Sequence, residues 1–153
     1  MFSKSEIIFF IKLTVWCAFW YIPQALFHES GHMWFGMLFG YKINYMKIGL
    51  WGAYVNMSYV FNPKTHLIVL YMGGITSAFI LYYIYHTVKD LGVEFSISVL
   101  FYSLLNIELA ILETFFTSYY NSKPMSMILS HFFVFLIPIW IHRKDTPFHV
   151  LKS

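Results

Sequence analysis

The feature that most constrains this chain is the stretch from Ile7 to Phe39, which is apolar and aromatic almost throughout. It is longer than the ~20 residues a helix needs to cross a bilayer. In lipid every backbone polar group must be bonded within its own segment, so such a run predicts a helix. Apolar stretches at about 66–88, 95–117 and 125–142 extend the pattern to about four spans. Composition agrees: 59% of the 153 residues are hydrophobic, 22% are aromatic and 11% are charged. A soluble domain carries about 25% charged residues, so this chain lacks the polar surface that water requires. The expectation is an all-α, multi-pass integral membrane protein in contact with the lipid bilayer, one domain over residues 1–153.

The net charge of +3 is spread over several loops, without the basic cluster that a nucleic-acid partner requires. The one cysteine, Cys17, sits in the first apolar run and excludes an internal disulfide.

Along the chain, the first span is long enough to call for a tilt or a kink near Pro23, and Gly40 is placed to stop it. From Tyr41 to Val60, Lys42, Asn44, Lys47, Asn56 and Ser58 alternate with apolar residues. That pattern predicts two short strands, about 43–50 and 53–60, turning at Trp51-Gly52 as an interfacial hairpin. A loop rich in aromatic anchors is the alternative. Asn62-Pro63 marks a helix start, and Pro124 suits the first turn of the last helix. In the second span, Gly73-Gly74 followed by Ser77 lets another helix come close, either as ordinary packing or to abut a functional site.

One polar group interrupts the first span: His28-Glu29-Ser30-Gly31-His32. Residues four apart lie one above the other on a helix, so His28 and His32 face the same way. Two imidazoles so placed can hold one zinc ion, with Glu29 able to reach a metal-bound water as general base. The plainer reading is a pair of core histidines bonded to neighbouring helices. The third span carries two acids, each costing about 2.5–3.5 kcal/mol at mid-membrane on insertion scales. Glu113 shares a small, polar seam with Ser103, Asn106, Ala110, Thr114 and Thr117. Glu108 lies about 140° round the helix, among apolar residues. A catalytic zinc held by two histidines takes a carboxylate as its third ligand. Glu113 is the favoured candidate and Glu108 the reserve, with Asn106 placed to bond a substrate backbone or the ligand. His131 is read as structural, or at most as supporting the site.

In these motifs the chain resembles the site-2 protease family of intramembrane zinc metalloproteases. The matching features are H-E-x-G-H at 28–32 in an early span, a hairpin-like segment after it, Gly73-Gly74, and an asparagine followed by a leucine-carboxylate pair (Asn106, then Leu112-Glu113). They cover residues 15 to 117, a minimal core. The family usually has Leu-Asp-Gly preceded by Asn-x-x-Pro, where this chain has Leu112-Glu113-Thr114 and no proline after Asn106.

The resemblance implies a zinc-dependent endopeptidase acting on a transmembrane protein or peptide substrate. One zinc ion per chain would be held by His28, His32 and Glu113, with Glu29 catalytic. Asn106, Gly73 and Gly74 would lie on the substrate side, and the 43–60 hairpin would present an extended strand. Water would reach the zinc along the seam of Ser103, Asn106 and Thr117. Two other classes stand beside it: an inert membrane binding or regulatory protein of the same fold, and a metal or proton transporter using Glu108 and His131 as a relay.

Overall fold

In the computed structural model, residues 3–49, 52–58, 62–116 and 124–146 are described, with the backbone alone for 124–129. Helix α1 runs unbroken over Lys4–Leu38. Its start is a capping box: the Ser3 hydroxyl accepts from the Glu6 N–H at 3.3 Å, and the Glu6 carboxylate accepts from the Ser3 N–H at 2.6 Å. At 1.5 Å per residue the helix is roughly 50 Å long, well beyond a hydrocarbon core of about 30 Å. Its end is fixed by Gly40, whose φ of 80° lets the Gly40 N–H reach Met37 C=O (3.0 Å) and the Tyr41 N–H reach Gly36 C=O (2.9 Å).

The chain then forms an antiparallel hairpin of β1 (Lys42–Gly49) and β2 (Gly52–Ser58), within a residue or two of the strands expected from the alternating pattern. The register shifts between Ile43 and Tyr45, which leaves Asn44 without an opposite partner in the ladder. Its side chain instead donates to Asn56 Oδ1 (2.7 Å) and Ser58 Oγ (2.8 Å), so the bulge is closed by amide chemistry. The hairpin packs on α1, where the bare face of Gly36 receives Met57, Tyr41 and Ile43.

Helix α2 (Pro63–Val88) starts where Asn62-Pro63 indicates, the Asn62 side chain accepting from the Lys64 N–H at 3.1 Å. Helix α3 (Val93–Phe115) follows a short turn at Gly92, and α4 (Pro124–Ile141) closes the described chain. Of the expected four spans, α1, α2 and α3 are long and apolar enough to cross a membrane. The fourth expectation falls on α4, whose described apolar part is the shorter Ser130–Ile141. Thr117, at the end of the expected third span, lies outside the described residues.

Helix α3 is the inner element: 56% of its apolar window is buried, against 33% for α2 and 17% for α1. Trp20, Leu81, Val99, Tyr102 and Leu105 make the main core, and Phe9, Leu13 and Ile97 a second one nearer the start of α1. Hydroxyls tie the helices by donating to neighbouring carbonyls: Ser77 to Gln24, Ser103 to Ala78 and Tyr102 to Cys17. Between apolar helices such bonds contribute about 0.6–2 kcal/mol each. The outer faces show Ile11, Val15, Phe19, Phe79 and Tyr83, each more than half exposed. Contiguous apolar surface of this kind calls for lipid or another apolar partner.

Candidate metal centre

Helix α1 stacks His28 and His32 one turn apart, their rings 4.7 Å between centroids and both side chains buried. Glu29, on the neighbouring face, is also buried. Helix α3 brings Glu113 to them: its Oε2 lies 3.1 Å from His28 Nε2 and 3.4 Å from His32 Nε2. The three candidate donor atoms lie within 4.8 Å of one another.

What the other side of each ring touches settles the arrangement. His32 Nδ1 is 2.8 Å from the Val69 carbonyl oxygen, an atom that can only accept, so Nδ1–H is the donor. His28 Nδ1 is 2.8 Å from Asn106 Oδ1. The Asn106 amide is itself oriented, because its NH2 donates to the Tyr102 carbonyl (2.7 Å) and to Gln24 Oε1 (3.1 Å). Its oxygen must therefore accept from His28 Nδ1–H. Both neutral rings thus turn an Nε2 lone pair toward the Glu113 carboxylate. With both rings neutral, three electron-rich atoms face one another, an arrangement that a cation between them stabilises. A proton on one ring satisfies part of the cluster, and a metal ion satisfies all of it.

The distances fit a metal as well. Donors 2.0–2.2 Å from a tetrahedral ion lie about 3.3–3.5 Å from each other, close to the 3.1 and 3.4 Å observed. Two histidines and one carboxylate, each ring held at its far nitrogen, are the donor set of a catalytic zinc with one open position. The residues present fit the ion that the sequence resemblance implies.

Glycines make this approach possible. A Cβ on Gly73 would strike the His32 ring, and one on Gly31 would fall 2.8 Å from the Met72 carbonyl oxygen. With no side chain at Gly73, the His32 ring rests on the α2 backbone and reaches the Val69 carbonyl one turn earlier. A Cβ on Gly74 would meet the Asn106 carbonyl and Ala110, so Gly74 sets α2 against α3. The Gly-Gly step does both jobs considered from sequence, inside a continuous helix.

Some expectations are corrected. Of the two partners expected for Asn106, a substrate backbone or the ligand, the structure has the second: Asn106 is fully buried with its amide committed to His28, Gln24 and Tyr102, so it orients a candidate ligand. Gly73 and Gly74, expected on the substrate side, face His32 and α3. The seam assigned to water is closed where it is described: Ser103 is buried and bonded to the Ala78 carbonyl, because the small residues of this face are what lets α2 pack there. The reserve ligand Glu108 is not in the cluster. Its Oε2 lies 3.0 Å from His131 Nδ1, across the α3–α4 contact.

A different opening leads to the site. A cavity of about 340 Å³ is lined by His28, Glu29 and Glu113, by Gly52 and Ala53 at the start of β2, and by His131. Gly52 and Ala53 put the hairpin on the same cavity wall as the candidate base Glu29. A larger groove of about 670 Å³ lies between α1 and the start of α3, and its polar residues are the Lys12–Glu94 pair at 3.7 Å. Gln24 was not singled out from sequence, although it stands one turn before His28 on the same face of an apolar helix.

Comparison of the chain with protein-family models, with curated proteins and with solved structures finds no match.

Proposed function

We propose that this chain is an intramembrane zinc-dependent endopeptidase that hydrolyses peptide bonds of membrane-spanning substrates. The observation that carries this is the convergence of His28 Nε2, His32 Nε2 and Glu113 Oε2, with Glu29 outside the donor set but lining the same cavity. The length and apolarity of α1, α2 and α3 support the membrane setting, and the sequence resemblance supports the chemistry.

When bound, zinc supplies Lewis acidity for the scissile carbonyl and for the attacking water. The chain does the rest. Asn106 and the Val69 carbonyl hold both histidines with Nε2 facing inward. Glu29 takes the proton of a water in the cavity as its oxygen attacks the carbonyl carbon, and later returns that proton to the leaving amine. A substrate helix hides its carbonyls in intrahelical bonds, so it must be unwound before attack. The bare backbone at Gly52, on the cavity wall, lets an extended segment lie close, and strand pairing along the hairpin would hold it.

The test is cleavage of labelled single-span peptides by the protein in liposomes, with products read by mass spectrometry. Glu29→Gln is expected to lower turnover by about 10²–10⁴-fold while zinc content and melting temperature stay at the wild-type values. Undiminished cleavage by Glu29→Gln would overturn the mechanism.

A further inference from the structure

The cavity has a second wall that the mechanism above does not use. His131 of α4 lines the same cavity as His28, Glu29 and Glu113, partly exposed, with Nδ1 3.0 Å from Glu108 Oε2. The other Glu108 oxygen, Oε1, is buried and has no hydrogen-bond partner among the described residues. A carboxylate carried on an apolar helix with half of its acceptors unmet is expensive to keep as a mere packing device. Its one described bond fixes the ring of a histidine that faces the candidate active cavity. The arrangement is a carboxylate orienting an imidazole through Nδ1 and leaving Nε2 as the ring's remaining polar atom.

We infer that His131 binds the substrate's scissile carbonyl oxygen and stabilises the negative charge that develops on it, with Glu108 as its positioning residue. This rests on the hydrolase assignment of the preceding subsection. For this role the ring donates Nδ1–H to Glu108 and needs a second hydrogen, on Nε2, for the substrate oxygen. When the water oxygen bonds to the carbonyl carbon, the water proton passes to Glu29 and the carbonyl π pair moves onto oxygen. His131 Nε2–H donates to that oxygen without transferring its proton. On collapse the pair returns, the C–N bond breaks, and the amine leaves with the proton from Glu29. The role is that of an oxyanion donor on the cavity wall, on a different helix from every candidate ligand.

The test uses the full-length, zinc-loaded protein in detergent and a peptidyl phosphinate as probe, because its tetrahedral anionic centre resembles the attacked carbonyl. Calorimetry is expected to show His131→Gln binding the phosphinate about a hundredfold more weakly than wild type, with zinc content and melting temperature unchanged. A planar peptide amide with the same side chains should bind both proteins equally. Glu108→Gln should lose phosphinate affinity in the same direction but less. On a labelled single-span peptide, kcat should fall in that order with KM nearly constant. Equal phosphinate affinity in wild type and His131→Gln overturns the role. Loss of zinc or of folding in both His131→Gln and His131→Ala overturns it too, since the residue is then structural. If Glu29→Gln abolishes cleavage while His131→Gln cleaves at the wild-type rate, the hydrolase assignment stands and the role of His131 alone falls. If Glu29→Gln cleaves like wild type, both fall.

Discussion

The second half of helix α3 carries two carboxylates five residues apart, and each has found histidine, but in opposite ways. Glu113 faces two Nε2 atoms from one helix, both rings fixed at Nδ1 by acceptors on other helices. Glu108 faces a single Nδ1 from α4. In the first pair of contacts neutral histidines turn lone pairs toward the acid, and the three atoms form a cluster able to hold a metal ion. In the second, an N–H meets one oxygen of a carboxylate, and that contact calls for no cation between them. The lesson is that the identity of the ring nitrogen, set by what lies behind the ring, separates a cluster able to hold a metal ion from a hydrogen-bonded dyad on the same apolar helix.

Removing what lies behind a ring should break the contrast most strongly. Asn106→Ala leaves His28 Nδ1–H, Gln24 Oε1 and the Tyr102 carbonyl without this partner. Zinc affinity, measured by competition with a coloured chelator, should fall about 10–100-fold, with roughly 1–3 kcal/mol of stability lost in denaturant melts for each buried group left unpaired. Next comes Gly73→Ala, whose new methyl would occupy the place of the His32 ring. Overpacking there should cost about 1–3 kcal/mol and weaken zinc binding, whereas the same change at Gly92, strained by its φ of 153° but with nothing within 4 Å, should leave zinc affinity alone. The smallest effect on the metal belongs to the second carboxylate. Glu108→Gln should keep zinc affinity within about twofold of wild type, and a larger loss would erase the distinction between the two acids.

Much of this was legible in the chain because it depends on local rules. Gly40, Asn62-Pro63 and Pro124 announce helix ends through backbone geometry that few other residues supply. The 3.6-residue period puts His28 and His32 on one face, and it separates Glu113 from Glu108 before any packing is known. The hairpin followed from alternation in a segment that is otherwise flanked by helices. What stayed hidden depends on how helices are rotated against one another. No period reveals that Gly73 receives the His32 ring, or that the Asn106 amide points back to His28 through a bond network that includes Gln24. The seam of small residues on α3 was visible, but small residues serve a water path and a close helix contact equally well in sequence. Packing chose the second, because apolar helices gain from close backbone approach.

The most direct test is the zinc content of the detergent-purified protein, by elemental analysis, for wild type, Glu113→Gln and Glu108→Gln. About one zinc per chain is expected in wild type and in Glu108→Gln, and almost none in Glu113→Gln. No zinc in wild type after the metal is supplied, or its loss in Glu108→Gln with retention in Glu113→Gln, would contradict the account.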